Sequence, residues 1–268
     1  MEPDIEFLVA KDLKAAALKL TVGEARYLVD LYYQIQEFRK ATGNQIRSLG
    51  ENEPGELIQG VFGSMEKVEN RIKKGLDYYT DDNPMGKWAK DVVGIGPVIS
   101  AGLLAHIDLT KCKTVGSIWR FAGYDPTSKW EKGQKRPFNA ALKTLCWKIG
   151  ESFVKVSGNE KALYGRLYLQ RKAIEQQKNE ALEYKAAAEQ KLKDFKIGKD
   201  TDAYKAYSIG KLPPAHIHAR AKRWAVKVFL AHYFEEGCRL VLKKEPPLLY
   251  ALQMLGHIHY IEPQRVSQ

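Results

Sequence analysis

The sequence predicts an all-α protein, and three observations carry that prediction. Apolar residues recur at three- and four-residue steps along most of the 268 residues, sustained period-two alternation is absent, and glycines and prolines gather between the periodic runs. Four segments are expected: a helical hairpin over 1–83, a region of short helices over 84–158, a long exposed helical arm over 159–198, and C-terminal helices over 199–268.

The hairpin opens at Thr21-Val-Gly-Glu24, a T-x-x-E capping box in which the hydroxyl caps the third amide and the carboxylate reaches back. Ala25, Leu28, Leu31, Tyr32, Ile35 and Phe38 then mark one face of an amphipathic helix. After a turn at Glu51-Asn-Glu-Pro-Gly55, Leu57, Val61, Met65, Val68, Ile72 and Leu76 mark a second helix that ends before Asp81-Asp-Asn-Pro84. Two such stripes need cover, either from the following region or from a second copy of the chain.

Next comes Trp88-Ala-Lys-Asp-Val-Val-Gly94-Ile95-Gly96-Pro97, continuing to His106-Ile107. It reads as a helix, a four-residue turn from Val93 to Gly96, and a second helix that Pro97 starts. Glycines permit backbone geometry closed to other residues, which bares amides at the start of the second helix, where the dipole also favours an anion. This is the helix-hairpin-helix pattern, suited to a DNA backbone phosphate; a plain helix–helix turn needing two glycines is the other reading. Lys87, Lys90, Lys111 and Lys113 surround it.

A basic loop follows, Tyr124 to Pro137, in which Lys129, Lys132, Lys135 and Arg136 surround Trp130. Trp130 either stacks on a base or wedges into a groove, or it packs as a lid while the cations stay solvated. Phe138 to Gly150 resumes a helix whose Leu142, Leu145, Cys146 and Ile149 belong to the core.

Asn159 to Lys196 reads as one long helix, glycine-free after Gly165, with Leu167, Ile174, Ala181, Ala188 and Phe195 at steps of seven. The interleaved positions are mostly Gln and Lys, so half a coiled-coil seam is written, for an exposed arm or a modest dimer contact. Pro213-Pro214 sets up the last long helix, Ala215 to about Leu242, with Ile217, Ala221, Trp224, Val228, Ala231 and Phe234 on one face.

Charge is unevenly placed. Lys and Arg number 43 against 32 Asp and Glu, a formal net +11, and 44% of residues are apolar, enough for a real core. Residues 1–83 carry 11 basic and 15 acidic side chains, 84–136 carry 9 and 4, 137–226 carry 18 and 9, and 227–268 carry 5 and 4. The excess sits in 84–226, which points to a polyanion, DNA foremost, facing that region and extending over Arg220, Lys222 and Arg223. No run of apolar residues is long enough for a membrane span, and the acidic N-terminus is unlike a signal peptide. Cys112, Cys146 and Cys238 have no C-x-x-C spacing, so neither a disulfide framework nor a cysteine zinc site is expected. The expectation is a protein of a bacterial host's cytoplasm or nucleoid.

Gly94-Ile-Gly-Pro, Leu103-Leu-Ala-His-Ile, Trp119-Arg-Phe-Ala-Gly-Tyr-Asp-Pro126, Gly133-x-Lys-Arg136 and Asn139-x-x-Leu142-Lys resemble, in order and spacing, the C-terminal domain of Piv-type DNA invertases and related insertion-sequence transposases. The full chain is similar to the shorter transposase-like proteins of bacteriophages and prophages. The resemblance implies binding of DNA ends or junctions. It departs from the transposases in two ways. Their RuvC-like nuclease domain, with four metal-binding carboxylates, has no counterpart in the helical residues 1–83. Their proposed nucleophilic serine aligns with Trp130 and Glu131, and Ser128 is out of register.

Three readings follow: a sequence-tolerant or structure-selective DNA-binding protein that self-associates and requires no cofactor for binding; a recombinase or strand-transfer enzyme using Ser128 or a partner nuclease; and a structural protein organised by the arm. Two His-x-His pairs, His216-Ile-His218 and His257-Ile-His259, invite a zinc site with Glu235 or Cys238. On a helix, however, i and i+2 point about 200° apart, so each pair offers one ligand unless its backbone is irregular. Use of Mg²⁺ or Zn²⁺ is left open.

Overall fold

The computed structural model describes residues 12–49, 55–247 and 260–263. Within them the chain forms eleven α-helices and no strand: α1 (Leu13–Leu18), α2 (Val22–Ser48), α3 (Glu56–Asp81), α4 (Pro84–Asp91), α5 (Pro97–His106), α6 (Val115–Phe121), α7 (Ala140–Lys155), α8 (Leu163–Glu180), α9 (Lys185–Asp194), α10 (Asp202–Ser208) and α11 (Pro214–Leu240). A 3₁₀ turn, Leu109–Lys111, links α5 to α6.

Local signals act where the sequence puts them. The Thr21 amide donates to the Glu24 carboxylate at 2.8 Å and the Glu24 amide donates to the Thr21 hydroxyl at 3.2 Å, closing the capping box of α2. Asn83 caps α4 through the Met85 amide at 2.9 Å, with Pro84 at the first turn. Helices α2 and α3 pair as the expected hairpin. Near the base, Val29, Ile72 and Leu76 pack with Val98 and Ala101 of α5, so the following region supplies cover. Farther out, Phe38, Leu57 and Val61 stay exposed; residues 50–54 of the turn lie outside the described residues.

The main core crosses the expected boundaries at 158 and 198. Aromatic rings from four helices meet: Trp88 of α4 stacks on Phe229 of α11 at 5.9 Å, Phe153 of α7 on Tyr164 of α8 at 4.9 Å, and Tyr164 meets Phe229 edge-on at 5.2 Å. Helix α11 is the axis of this core. The sequence suggests one apolar face, yet every residue from Phe229 to Cys238 is buried, because α4, α6, α7 and α8 surround it. Some of its polar members are satisfied in place, while the Tyr233 hydroxyl and Glu235 Oε1 have no hydrogen-bond partner among the described residues. His232 contacts the Ile261 carbonyl through Nε2 at 2.7 Å and the Tyr164 hydroxyl through Nδ1 at 2.8 Å. A carbonyl only accepts, so Nε2 carries the proton and Nδ1 accepts from Tyr164.

The long exposed arm is corrected to two separate helices, the first packed on α11 and the second on α10. Helix α8 ends at Glu180, Leu182 takes a left-handed φ of 58°, and α9 starts afresh at Lys185. Tertiary partners break what helix propensity alone would continue. Asn179 clamps the Leu212 backbone through both amide atoms, at 2.8 and 2.9 Å, and Ala188 packs against Tyr207, Leu212 and Ile217. Leu167 of the half-seam faces the chain's own core, while Ile174 and Phe195 remain exposed.

Candidate nucleic-acid interface

The turn between α4 and α5 takes the geometry its glycines permit. Gly94 has φ +101°, where a side chain is strained, and a Cβ there would stand 3.1 Å from Val156, the residue that caps α7. The Ser152 hydroxyl donates to the Gly94 carbonyl, tying the turn to α7. Gly96 differs: it caps α5 with ordinary extended backbone, and a Cβ on it would meet nothing within 4 Å. Beyond it the first-turn amides of Val98 and Ile99 have no acceptor within the helix. Ile95 is buried and anchors the turn to the core rather than meeting a ligand.

These elements open into a cleft of about 430 Å³ whose walls come from three parts of the chain. Helix α2 contributes Tyr33, Glu37 and Lys40, α3 contributes Lys73, and α7 contributes Trp147, Lys148, Glu151 and Lys155. Four lysines face two glutamates there. Lys148 lies 3.8 Å from the centre of the Tyr33 ring. Burial pushes its pKa below the usual lysine value; Glu37 opposes this, and Lys40 and Lys155 lower it further. An ammonium so placed gains from an anion nearby.

The Trp130 loop lies at the other end of α7, whose 16 residues span about 24 Å, or about seven base pairs of duplex. Its Lys129, Lys132, Lys135 and Arg136 are exposed. Trp130 is used within the loop: its indole N–H donates to the Gln134 carbonyl at 2.8 Å and Arg136 lies 5.3 Å from its ring centre. The segment from Trp119 to Pro126 forms the corner that holds this loop. Trp119 donates to the Lys227 carbonyl at 3.0 Å, and the Asp125 carboxylate accepts from Thr127 and Arg120. Those bonds, Thr127 first, hold the Asp125 carboxyl down to about 2. Ser128 sits in this turn, beside Asp125, whose carboxylate is taken by Thr127 and Arg120.

Other expected contacts are redistributed. Lys87, Lys113 and Arg223 are exposed, and Lys111 is exposed while pairing with Asp108 at 3.0 Å. Lys90 is committed to Asp77 and Asp81 at 2.6 and 2.5 Å, pinning α4 to the hairpin. Arg220 is held by Glu175 at 2.6 Å, together with Arg171 and Tyr184. Lys222 is buried against Gly150 and bonded to Glu151. These three are structural cations, because each is at least partly withdrawn from solvent against a carboxylate; Lys40, paired with Glu37 at 3.1 Å, and Lys111 stay exposed.

His216 and His218 both lie on helical backbone in α11 and diverge as the helix requires, His216 towards Tyr207 at 3.5 Å and His218 towards Tyr168 at 2.8 Å. His257 and His259 lie outside the described residues. Among the described residues, no three His, Cys, Asp or Glu side chains come together as a metal group, and no helix is long and apolar enough to cross a membrane.

Sequence reasoning passed over Lys40 and Lys73, which sit in a net-acidic segment and reach the cleft only through tertiary packing. It also passed over Trp147, although position 147 falls outside the apolar arc of Leu142, Leu145, Cys146 and Ile149. No family model, no curated protein and no solved structure matches the chain, so the interface is read from its own geometry.

Proposed function

We propose that this is a DNA-binding protein that holds backbone phosphates at the α4–α5 turn and along α7. One observation carries the reading: the open side of Gly96 and the bare amides of α5 face a cleft lined by Lys40, Lys73, Lys148 and Lys155. The exposed cations of the Trp130 loop extend the track by about 24 Å along α7. Contacts of this kind are blind to base identity, so binding is sequence-tolerant and salt-sensitive. The resemblance of the Gly94–Pro97 and Trp119–Pro126 motifs to DNA invertases adds ends and junctions as preferred forms. Asp125, the carboxylate beside Ser128 in the turn, is taken by Thr127 and Arg120, and the proposal is one of binding rather than strand transfer.

Self-association belongs to the distal hairpin, where Ile35 of α2 lines one shallow apolar groove with Leu57, Val61, Met65 and Val68 of α3. An electrophoretic mobility shift with linear duplex, single strand and four-way junction tests the main reading. Retardation that disappears when Lys148 and Lys155 are both changed to Glu supports it; retardation indifferent to those changes overturns it.

A further inference from the structure

We propose that Trp147 is a stacking platform for one unpaired base, so that the cleft takes the phosphate and base of a nucleotide at a DNA end or branch. This rests on the cleft being a phosphate site and names the form of DNA it holds.

Trp147 is 56% exposed, whereas Cys146 and Ile149 beside it are fully buried. Covering the exposed part of so large an apolar ring is favourable, and the fold leaves that unused. The indole is nevertheless braced. Lys222 lies 5.3 Å from its ring centre, and Lys222 is itself buried and fixed by Glu151, so the cation beside the ring is held in place. Base stacking asks for this combination, a ring with an accessible surface and little freedom to lose.

Trp147 also lines the same cleft as Gly96, Lys148 and Lys155. A phosphate at Gly96 would place its nucleotide beside the indole. Trp130 is braced as well, by its N–H bond and by Arg136, but it does not line the cleft that holds Gly96, so no phosphate there would bring a base to it. A blunt duplex keeps its bases paired and leaves the platform empty; a single-stranded tail or a branch supplies a free one.

Fluorescence anisotropy on the full chain tests this with a blunt duplex, the same duplex carrying a short single-stranded DNA tail, and one whose tail is abasic but equally charged. The tail is expected to tighten binding about fivefold or more, which is about 1 kcal/mol, the low end for one stacked base. The abasic tail gives no such gain, Trp147→Ala abolishes it, and Trp147→Phe keeps most of it. An RNA tail with an equal gain supports stacking, since the π-face and not the sugar is read. A gain with RNA alone overturns the assignment to DNA. A gain that survives Trp147→Ala or an abasic tail overturns the platform, as does a wild-type protein that binds duplex without gaining from a tail. Absence of all DNA binding overturns the phosphate site as well.

Discussion

Gly94 and Gly96 stand two residues apart, and their surroundings predict opposite effects of substitution. Gly94→Ala forces a side chain into φ +101° and against Val156 at 3.1 Å. A left-handed non-glycine residue costs about 1–3 kcal/mol. At about 2–4 °C per kcal/mol for a chain of this size, melting falls by about 5 °C. Gly96→Leu meets open space and ordinary backbone, so melting moves by no more than about 2 °C, yet the new side chain fills the mouth of the phosphate site. Losing charge-assisted bonds to one phosphate costs about 1.5–3 kcal/mol, about ten- to a hundredfold in Kd. The salt slope flattens by about 0.9 at the same time. Circular dichroism melts and anisotropy titrations at several salt concentrations read both effects. Gly96→Leu binding duplex with wild-type affinity and slope would refute the placement of phosphate at α5.

Other residues give further expectations. Glu175 is buried between Arg171 and Arg220, so Glu175→Ala strands two guanidiniums and costs about 3–5 kcal/mol in denaturant unfolding, and wild-type stability in that variant contradicts the network. Burial pushes the His232 pKa down from the ordinary 6.5 to about 4. The unfolded chain therefore takes up the proton first, and the stabilisation, about 3 kcal/mol, is full above pH 6.5 and lost as pH falls towards 4. Glu235, whose pKa burial raises, works in the opposite sense, so the test is the difference between wild type and His232→Gln, which grows with pH between about 4 and 6.5 and is flat above. Lys90→Met, which frees Asp77 and Asp81, costs about 1 kcal/mol and leaves the salt slope of DNA binding unchanged; a flatter slope would make Lys90 a DNA contact after all. Leu57→Glu with Val61→Glu is expected to convert dimers to monomers in analytical ultracentrifugation, and a wild-type monomer refutes the hairpin contact.

What the sequence made legible is local chemistry. The Thr21 capping box, the stop before Pro84 and the proline start of α5 each depend on residues within one turn, and each forms. The α8–α9 break was hidden because Ala, Glu, Lys and Leu around 181–192 favour helix, whereas the bend answers to Asn179 on Leu212 and Ala188 on Tyr207. The candidate site divides in the same way. Gly94 and Gly96 are readable from spacing, but the neutralisation of Lys90, Arg220 and Lys222 depends on Asp77, Glu175 and Glu151, 13, 45 and 71 positions away. Counting charge by segment assigned those cations to a polyanion when the fold had already paired them. It also set aside Lys40 and Lys73, which packing of the acidic hairpin on α5 brings to the cleft.

The central claim is phosphate binding by this cleft and the α7 track, and the salt dependence of wild-type binding to a blunt duplex measures it most directly. Contacts at the α5 amides, at the α7 lysines and at the Trp130 loop engage at least about three phosphates, so log K should fall against log salt with a slope of about −3 or steeper. Binding with a slope near zero, or no binding at low salt, would contradict the account.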